Sequence, residues 1–338
     1  MSVTDLLQRT RLRPGVPDGV PATPPLRGRQ YPFLGLVVLV GLFAPAIMGG
    51  SDYDTGVLTT VIIHAVLTLG LFWCFSLGGL FTFATYGVYA AGAYTSIWAA
   101  NHLGGFWSGL VAATLIGAVL GALITVLFAR CSMVYFAIAT MACGALLVIL
   151  FREWTSFTGG FSGQADIKLP SLFGYQLDTY VKRYYLMFAV LALLLLLTIF
   201  FLRSPAARDL QLAKGNGPVA AVIGLHPKRA QSAAFIVGCA IQGIAGSLYA
   251  HNTSYISLEA FHIDIALLVL LMLLLGGVSS IYGPLIGAAL LIYLPEYLRD
   301  IQKYSDLVYG VAVLVVVVAF PKGIAGVRGS IQKRINHA

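Results

Sequence analysis

Gly276-Gly277-Val278-Ser279-Ser280-Ile281-Tyr282-Gly283-Pro284 interrupts an otherwise apolar stretch in the last third of the chain. In hydrocarbon, backbone N–H and C=O groups left without intrahelical partners cost several kcal/mol, so breaks of this kind survive only where protein or a water-filled cavity covers them. Upstream, Ser204 to Arg229 carries Arg208, Asp209, Lys214, Lys228 and Arg229 and has to be solvated. A solvated loop beside interrupted membrane helices decides the architecture. The expectation is an all-α polytopic membrane protein of about ten transmembrane helices, with some short or broken spans.

Composition agrees. Hydrophobic residues make up 59% of the 338 and charged ones only 10%, with a mean hydropathy of +0.87, whereas soluble domains are about 25% charged. The net charge of +8 is not a nucleic-acid signature, because the basic residues lie between apolar runs and not on a soluble face. Cys74, Cys131, Cys143 and Cys239 sit in or beside apolar runs without metal or redox spacing, and the histidines form no H-x-x-x-H pair, so no metal site is expected.

Residues 1–30 hold Arg9, Arg11, Arg13, Arg27 and Arg29 and five prolines, and read as a disordered basic cytoplasmic tail. No cleavable signal pattern follows. Apolar runs then occupy about 33–48, 57–75, 81–100, 106–129, 133–151, 184–202, 230–250, 264–277, 284–295 and 307–320, most near the roughly 20 residues a spanning helix needs. The transmembrane domain is thus 31–325, and 326–338 forms a second basic cytoplasmic tail. With the first tail inside, 15 of the 21 Lys and Arg fall on the inner side, the bias expected of a membrane protein with both termini cytoplasmic. On that arrangement 152–183 is an extracytoplasmic loop, a docking surface, a cover over the pore or plain linkage, and 203–229 lies in the cytoplasm.

No Asp, Glu, Lys or Arg falls well inside a span, and His64 is the ionisable group nearest a span centre. Ion-coupled carriers use such groups at mid-depth. The polar residues expected to border a solute pathway are uncharged: Thr82, Thr85, Tyr86, Tyr89, Tyr94, Thr140, Gln242 and Ser279. Most hydroxyls in spans serve helix packing. Gln242 stands out, since its amide carries donors and an acceptor that a buried site must satisfy. Neither a Walker A loop nor a nucleophile elbow is present, so any driving energy comes from another chain. Within 203–229, Asn216 or Gly217 suits a cap, Pro218 an early helical position and Gly224 a stop, predicting a short helix.

Several blocks resemble the permease subunits of bacterial branched-chain amino acid ABC importers, of the LivM-like type. They are Tyr135 to Gly144, Thr158-Gly159-Gly160, Gly243 to His251, Ile256-Ser257, Leu275 to Gly287 and Pro321-Lys322-Gly323, and together they cover about Gly79 to Gly326 in the family's order. The resemblance implies a second homologous permease subunit, two ABC ATPase subunits, an extracytoplasmic solute-binding protein and a lipid membrane as partners. Nucleic acid is not among them. ATP and Mg would sit on the ATPase subunits, and this chain would bind no cofactor. It further implies that Asn216, Gly217, Pro218, Val219, Ala220, Val222, Ile223 and Gly224 form the ATPase-coupling helix.

Departures from the family pattern bear on the solute. Where Gly-Gln-Leu-Ser-Leu-Gly-His is usual, this chain has Gly79 to Thr85, with Leu80 and Thr85 replacing Gln and His. Ala145 replaces a frequent acid, Gln242 occupies a place usually held by a small residue, and Gly217 stands where the loop's usual Glu would be. The expected function is import of a small apolar or amphipathic solute, such as a branched-chain or other hydrophobic amino acid or a related carboxylate. A stand-alone facilitator for a small neutral solute such as urea is the alternative, and it has no use for a capped helix in 203–229. A membrane-embedded enzyme would need mid-span acid, base or metal ligands, which the chain does not assemble.

Overall fold

The computed structural model describes residues 51–297 except 129–130, 166, 168–169, 173–174, 216, 223 and 254, together with 35 and 41–45. The expected tails, the run at 307–320 and most of that at 33–48 lie outside the described residues. Each of the other eight apolar runs contains a helix, although residues 81–84 stand outside the one that follows them. Helix α1 (Asp52–Leu71) opens on Ser51, whose hydroxyl accepts from the Asp54 N–H at 3.1 Å, with Asp52 and Asp54 in the first turn. Both features favour a helix N-terminus. It runs directly into a π-helical stretch, Phe72–Leu77. Then come α2 (Thr85–Leu103), α3 (Phe106–Phe128), α4 (Met133–Glu153) and the single turn α5 (Thr155–Thr158). They are followed by α6 (Tyr180–Arg203), α7 (Pro205–Gly215), α8 (Gly217–Val222), α9 (Pro227–Asn252), α10 (Ile263–Gly276) and α11 (Gly283–Tyr297).

Among the described residues, six helical stretches are long and apolar enough to cross a membrane: Asp52–Leu77, Phe106–Phe128, Met133–Glu153, Tyr180–Arg203, Pro227–Asn252 and Leu258–Gly276. The chain is an all-α multi-pass membrane protein. The run at 264–277, expected to be short, reaches spanning length because the 3₁₀ turn Leu258–Ala260 extends it, whereas Gly283–Glu296 remains short.

The helices sort into two layers. In α1 with its π stretch and in α9, 78% and 72% of the apolar window is buried, against 33–39% in α3, α4, α6 and the α10 span. Helix α2 belongs with the inner layer, buried along nearly its whole length. Glycines make this contact possible. A Cβ on Gly92 of α2 would overlap the Gly243 carbonyl of α9, and one on Gly246 would overlap the Tyr89 carbonyl, so the two backbones touch. The interruption at 276–284 works the same way. Cβ atoms on Gly276 and Gly287 would overlap the carbonyls of Gly283 and Met272, and Ile281 and Tyr282 are buried. Protein covers the break, as lipid would require.

At one end of the bundle, the stretch Ser162 to Ala165 meets the α9–α10 connection. Strand β1 (Gln164–Ala165) pairs antiparallel with β4 (Tyr255–Ile256), and β2 (Ser171–Leu172) pairs with β3 (Tyr175–Gln176). Arg183 at the start of α6 donates to the Asn252 carbonyl at 3.3 Å and the Asp178 carbonyl at 3.4 Å, its guanidinium 4.5 Å from the Tyr180 ring centroid. Tyr53 at the head of α1 bonds Glu296 near the end of α11 at the same end.

At the opposite end, 203–229 holds two helices instead of the one expected. Pro205 suits the first turn of α7, and Ala207, Leu210 and Ala213 bury one face at three-residue spacing. That stripe is the helical signal within an otherwise loop-like composition.

Candidate functional site

The seam between α2 and α9 gathers Thr85, Tyr89, Tyr94 and Gln242 from among the uncharged polar residues expected along a pathway. At its core, Gln242 Nε2 donates to Thr85 Oγ1 at 3.3 Å, and both residues are buried. They face each other although 157 residues of chain separate them. Gln242 Oε1 is buried without a hydrogen-bond partner. Towards the start of α2, Thr82 Oγ1 accepts from the Ala84 N–H at 3.1 Å. Thr140 Oγ1 accepts from the Phe83 N–H at 3.2 Å and donates to the Ala137 carbonyl at 2.9 Å. Tyr86 donates to the Met141 carbonyl at 3.0 Å. Tyr86 and Thr140 thus fasten the head of α2 to α4, while Thr82 holds the Ala84 N–H that the helix start leaves open.

Further along α2 the seam is closed by rings. Tyr89 lies 5.2 Å from Phe261 and 5.5 Å from Tyr249 between centroids, and Tyr94 lies 5.9 Å from Phe261 and 5.8 Å from Phe151. These spacings suit offset and edge-on aromatic packing. The Tyr94 hydroxyl is buried without a hydrogen-bond partner. Beyond it, Ser96 Oγ bonds Ser247 Oγ at 2.7 Å and His251 Nε2 at 3.0 Å, all three residues buried. His64 bonds the Thr60 carbonyl of its own helix at 2.9 Å. Ser279 lies half-buried in the α10–α11 turn.

The second candidate element is the α7–α8 hairpin. Helix α8 starts at Gly217, with Pro218 second, and Gly224 at φ +84° follows its end, a left-handed conformation suited to glycine. The Leu225 N–H returns to the Ala220 carbonyl at 3.0 Å. Ala220 is buried, while Val219 and Val222, three residues apart on one face, are 53% and 87% exposed. Asn216 and Ile223 lie outside the described residues. In the last turn of α7, beside the turn into α8, Lys214 Nζ donates to the Ser76 carbonyl at 2.7 Å, and burial pushes the ammonium's pKa down from the usual lysine value.

Sequence reasoning missed four parts of this arrangement: Lys214, the Ser96–Ser247–His251 network, the ring partners Tyr249 and Phe261, and Phe151. Ser247 and His251 stand four apart on one helix, a visible signal. The partnership with Ser96 was not visible, since 151 residues separate Ser96 from Ser247.

A family model described as "Branched-chain amino acid transport system / permease component" matches residues 55–318. The chain is 30% identical over 320 residues to the high-affinity branched-chain amino acid transport system permease protein LivM of Salmonella typhimurium, covering 88% of this chain and 75% of the relative. The LivM protein of Escherichia coli matches to the same extent. The LivH permease protein of the E. coli high-affinity system is 27% identical over 297 residues, covering 80% of this chain and 93% of LivH. No solved structure matches the chain.

Proposed function

The chain belongs to the branched-chain amino acid transport permease family, and on that premise we propose that it is the transmembrane permease subunit of an ATP-driven importer. Its solute is a small apolar or amphipathic molecule, a hydrophobic amino acid or a related carboxylate. It works with a second, homologous permease, two ATPase subunits and an extracytoplasmic binding protein, in a bacterial inner membrane with both termini cytoplasmic. The observation that carries this reading is the α8 face. Val219 and Val222 are exposed on the α7–α8 hairpin, and apolar side chains displayed in this way support a surface for a partner. A stand-alone facilitator has no use for such a surface.

In this reading ATP-driven closure of the partner subunits pushes the hairpin, and the bundle switches between outward and inward access as rigid pieces. The solute passes along the α2–α9 seam. The rings of Tyr89, Tyr94, Tyr249 and Phe261 meet its apolar part, while the unmatched Tyr94 hydroxyl and Gln242 amide oxygen meet its polar groups.

The test is ATP hydrolysis by the assembled complex in lipid nanodiscs, with binding protein empty or loaded with leucine or an aromatic amino acid. Wild type is compared with Pro218→Gly plus Val222→Asp. Loaded binding protein should stimulate hydrolysis, and the double change should abolish the stimulation while assembly survives. Solute passage by the chain alone in liposomes, indifferent to the double change, would overturn the proposal in favour of a facilitator.

A further inference from the structure

A hairpin pressed by a partner has to move something in the membrane, and one side chain makes the join. The Lys214 stem lies over Gly79, where an added Cβ would stand 3.1 Å from Lys214 Cγ and where φ is +75°. Its Nζ donates to the Ser76 carbonyl at 2.7 Å and reaches the Phe75 carbonyl at 3.4 Å. Both carbonyls belong to the π-helical stretch that ends α1. A helix C-terminus leaves carbonyls open and carries the negative end of the dipole, so a cation there is doubly matched. π-Helical turns are uncommon and occur frequently at functional sites.

The neighbours of this contact matter. The amides of Gly78, Gly79 and Leu80 close onto the carbonyls of Trp73, Phe75 and Cys74, forming the elbow that leads through Thr82 into α2. Trp73 Nε1 donates to Thr198 of α6 at 3.0 Å, and its ring packs on Phe201, just before α7 begins. The buried face of α7 is otherwise apolar, through Ala207, Leu210 and Ala213. Apolar contacts tolerate sliding, whereas a charge-assisted hydrogen bond fixes register.

We propose that Lys214 is the positioning residue that transmits hairpin displacement to the α1–α2 elbow. Its ammonium stays on the end of the π stretch throughout the cycle, so that the hairpin and the head of α2 move as one body. This rests on the importer reading above and names the route by which the partner's push reaches the Thr85–Gln242 seam.

The experiment uses the full complex in vesicles and reads solute taken up per ATP hydrolysed. Lys214→Met should assemble and hydrolyse ATP but move about tenfold less solute per ATP, the factor that losing one charge-assisted hydrogen bond corresponds to. Lys214→Arg, which keeps a cation within reach of the same carbonyls, should recover most of the yield. An unchanged yield in Lys214→Met, or an arginine variant as uncoupled as the methionine one, would overturn the proposal. If the methionine variant does not assemble, hydrogen exchange on the wild-type complex decides. Nucleotide should alter exchange at Gly78, Gly79 and Leu80 together with 205–222, and a response confined to the hairpin sinks the latch. A wild-type complex without ATP-dependent uptake defeats the importer reading itself, whereas a coupled wild type with an equally coupled Lys214→Met defeats the latch alone.

Discussion

Replacing Gln242 with methionine should make the protein more stable and a poorer transporter. Gln242 is fully buried, with one amide atom bonded to Thr85 and the other unmatched. Exchanging the amide's O and N leaves the same tally, one paired and one orphan. Methionine suits the site because Gly70 of α1 lies against Gln242 Cγ, where an added Cβ would stand 2.6 Å away, and an unbranched, flexible chain fits such a gap. The change removes one neutral hydrogen bond, worth about 0.6 kcal/mol on average inside a membrane bundle. It also relieves an unmatched buried polar atom, worth about 1–3 kcal/mol. The Thr85 hydroxyl is free to rotate to another acceptor. The net expectation is a gain of roughly 0.5–2 kcal/mol, read as a higher thermal midpoint of the purified complex. Uptake of the preferred solute should fall at least about tenfold, since a polar contact worth about 1.4 kcal/mol is one decade. A loss of stability beyond about 1 kcal/mol would show that the amide is satisfied in the native state and that the burial argument fails. Raised stability with full uptake would remove Gln242 from the pathway.

Three further changes probe the frame. Gly243→Ala gains about 1 kcal/mol in helix propensity, yet its Cβ would overlap the Ala113 carbonyl of α3; a net loss of about 1–3 kcal/mol in thermal or denaturant unfolding is expected, and a net gain would contradict the close approach. Trp73→Phe deletes the indole donor to Thr198 but leaves the Thr198 bond to the Leu194 carbonyl, so a cost of about 1 kcal/mol is expected in the same assay. Arg183→Met removes the donors to the Asn252 and Asp178 carbonyls; limited proteolysis within 164–183 should accelerate several-fold while the helical circular dichroism is kept, and an unchanged rate would mean that the strand pairing alone holds the loop.

Length and local chemistry made much of this protein legible. The eight described apolar runs became helices because a spanning helix needs only a sufficient length of apolar residues and satisfies its own backbone bonds. Helix α8 followed from Pro218 and Gly224, whose preferences are local. The break at 276–284 was readable as covered backbone because the N–H and C=O groups that a helix break leaves unpaired cannot face lipid. Helix α7 was hidden by its polar composition, and the 3₁₀ extension of α10 by the polar residues that flank it.

The sequence by itself therefore determined the class, the helical apolar runs among the described residues, the short helix between Gly217 and Gly224 and, through its motif blocks, the family. Tertiary structure alone decided which helices are inner, that Gln242 meets Thr85 across 157 residues of chain, and that Lys214 meets Ser76 across 138. The reason is physical. Lipid tails are as apolar as leucine, so hydrophobicity does not tell the face of a helix that meets lipid from the face that meets another helix. That choice is made where glycines let backbones touch and where a buried polar atom finds a partner, and both depend on which helix arrives alongside.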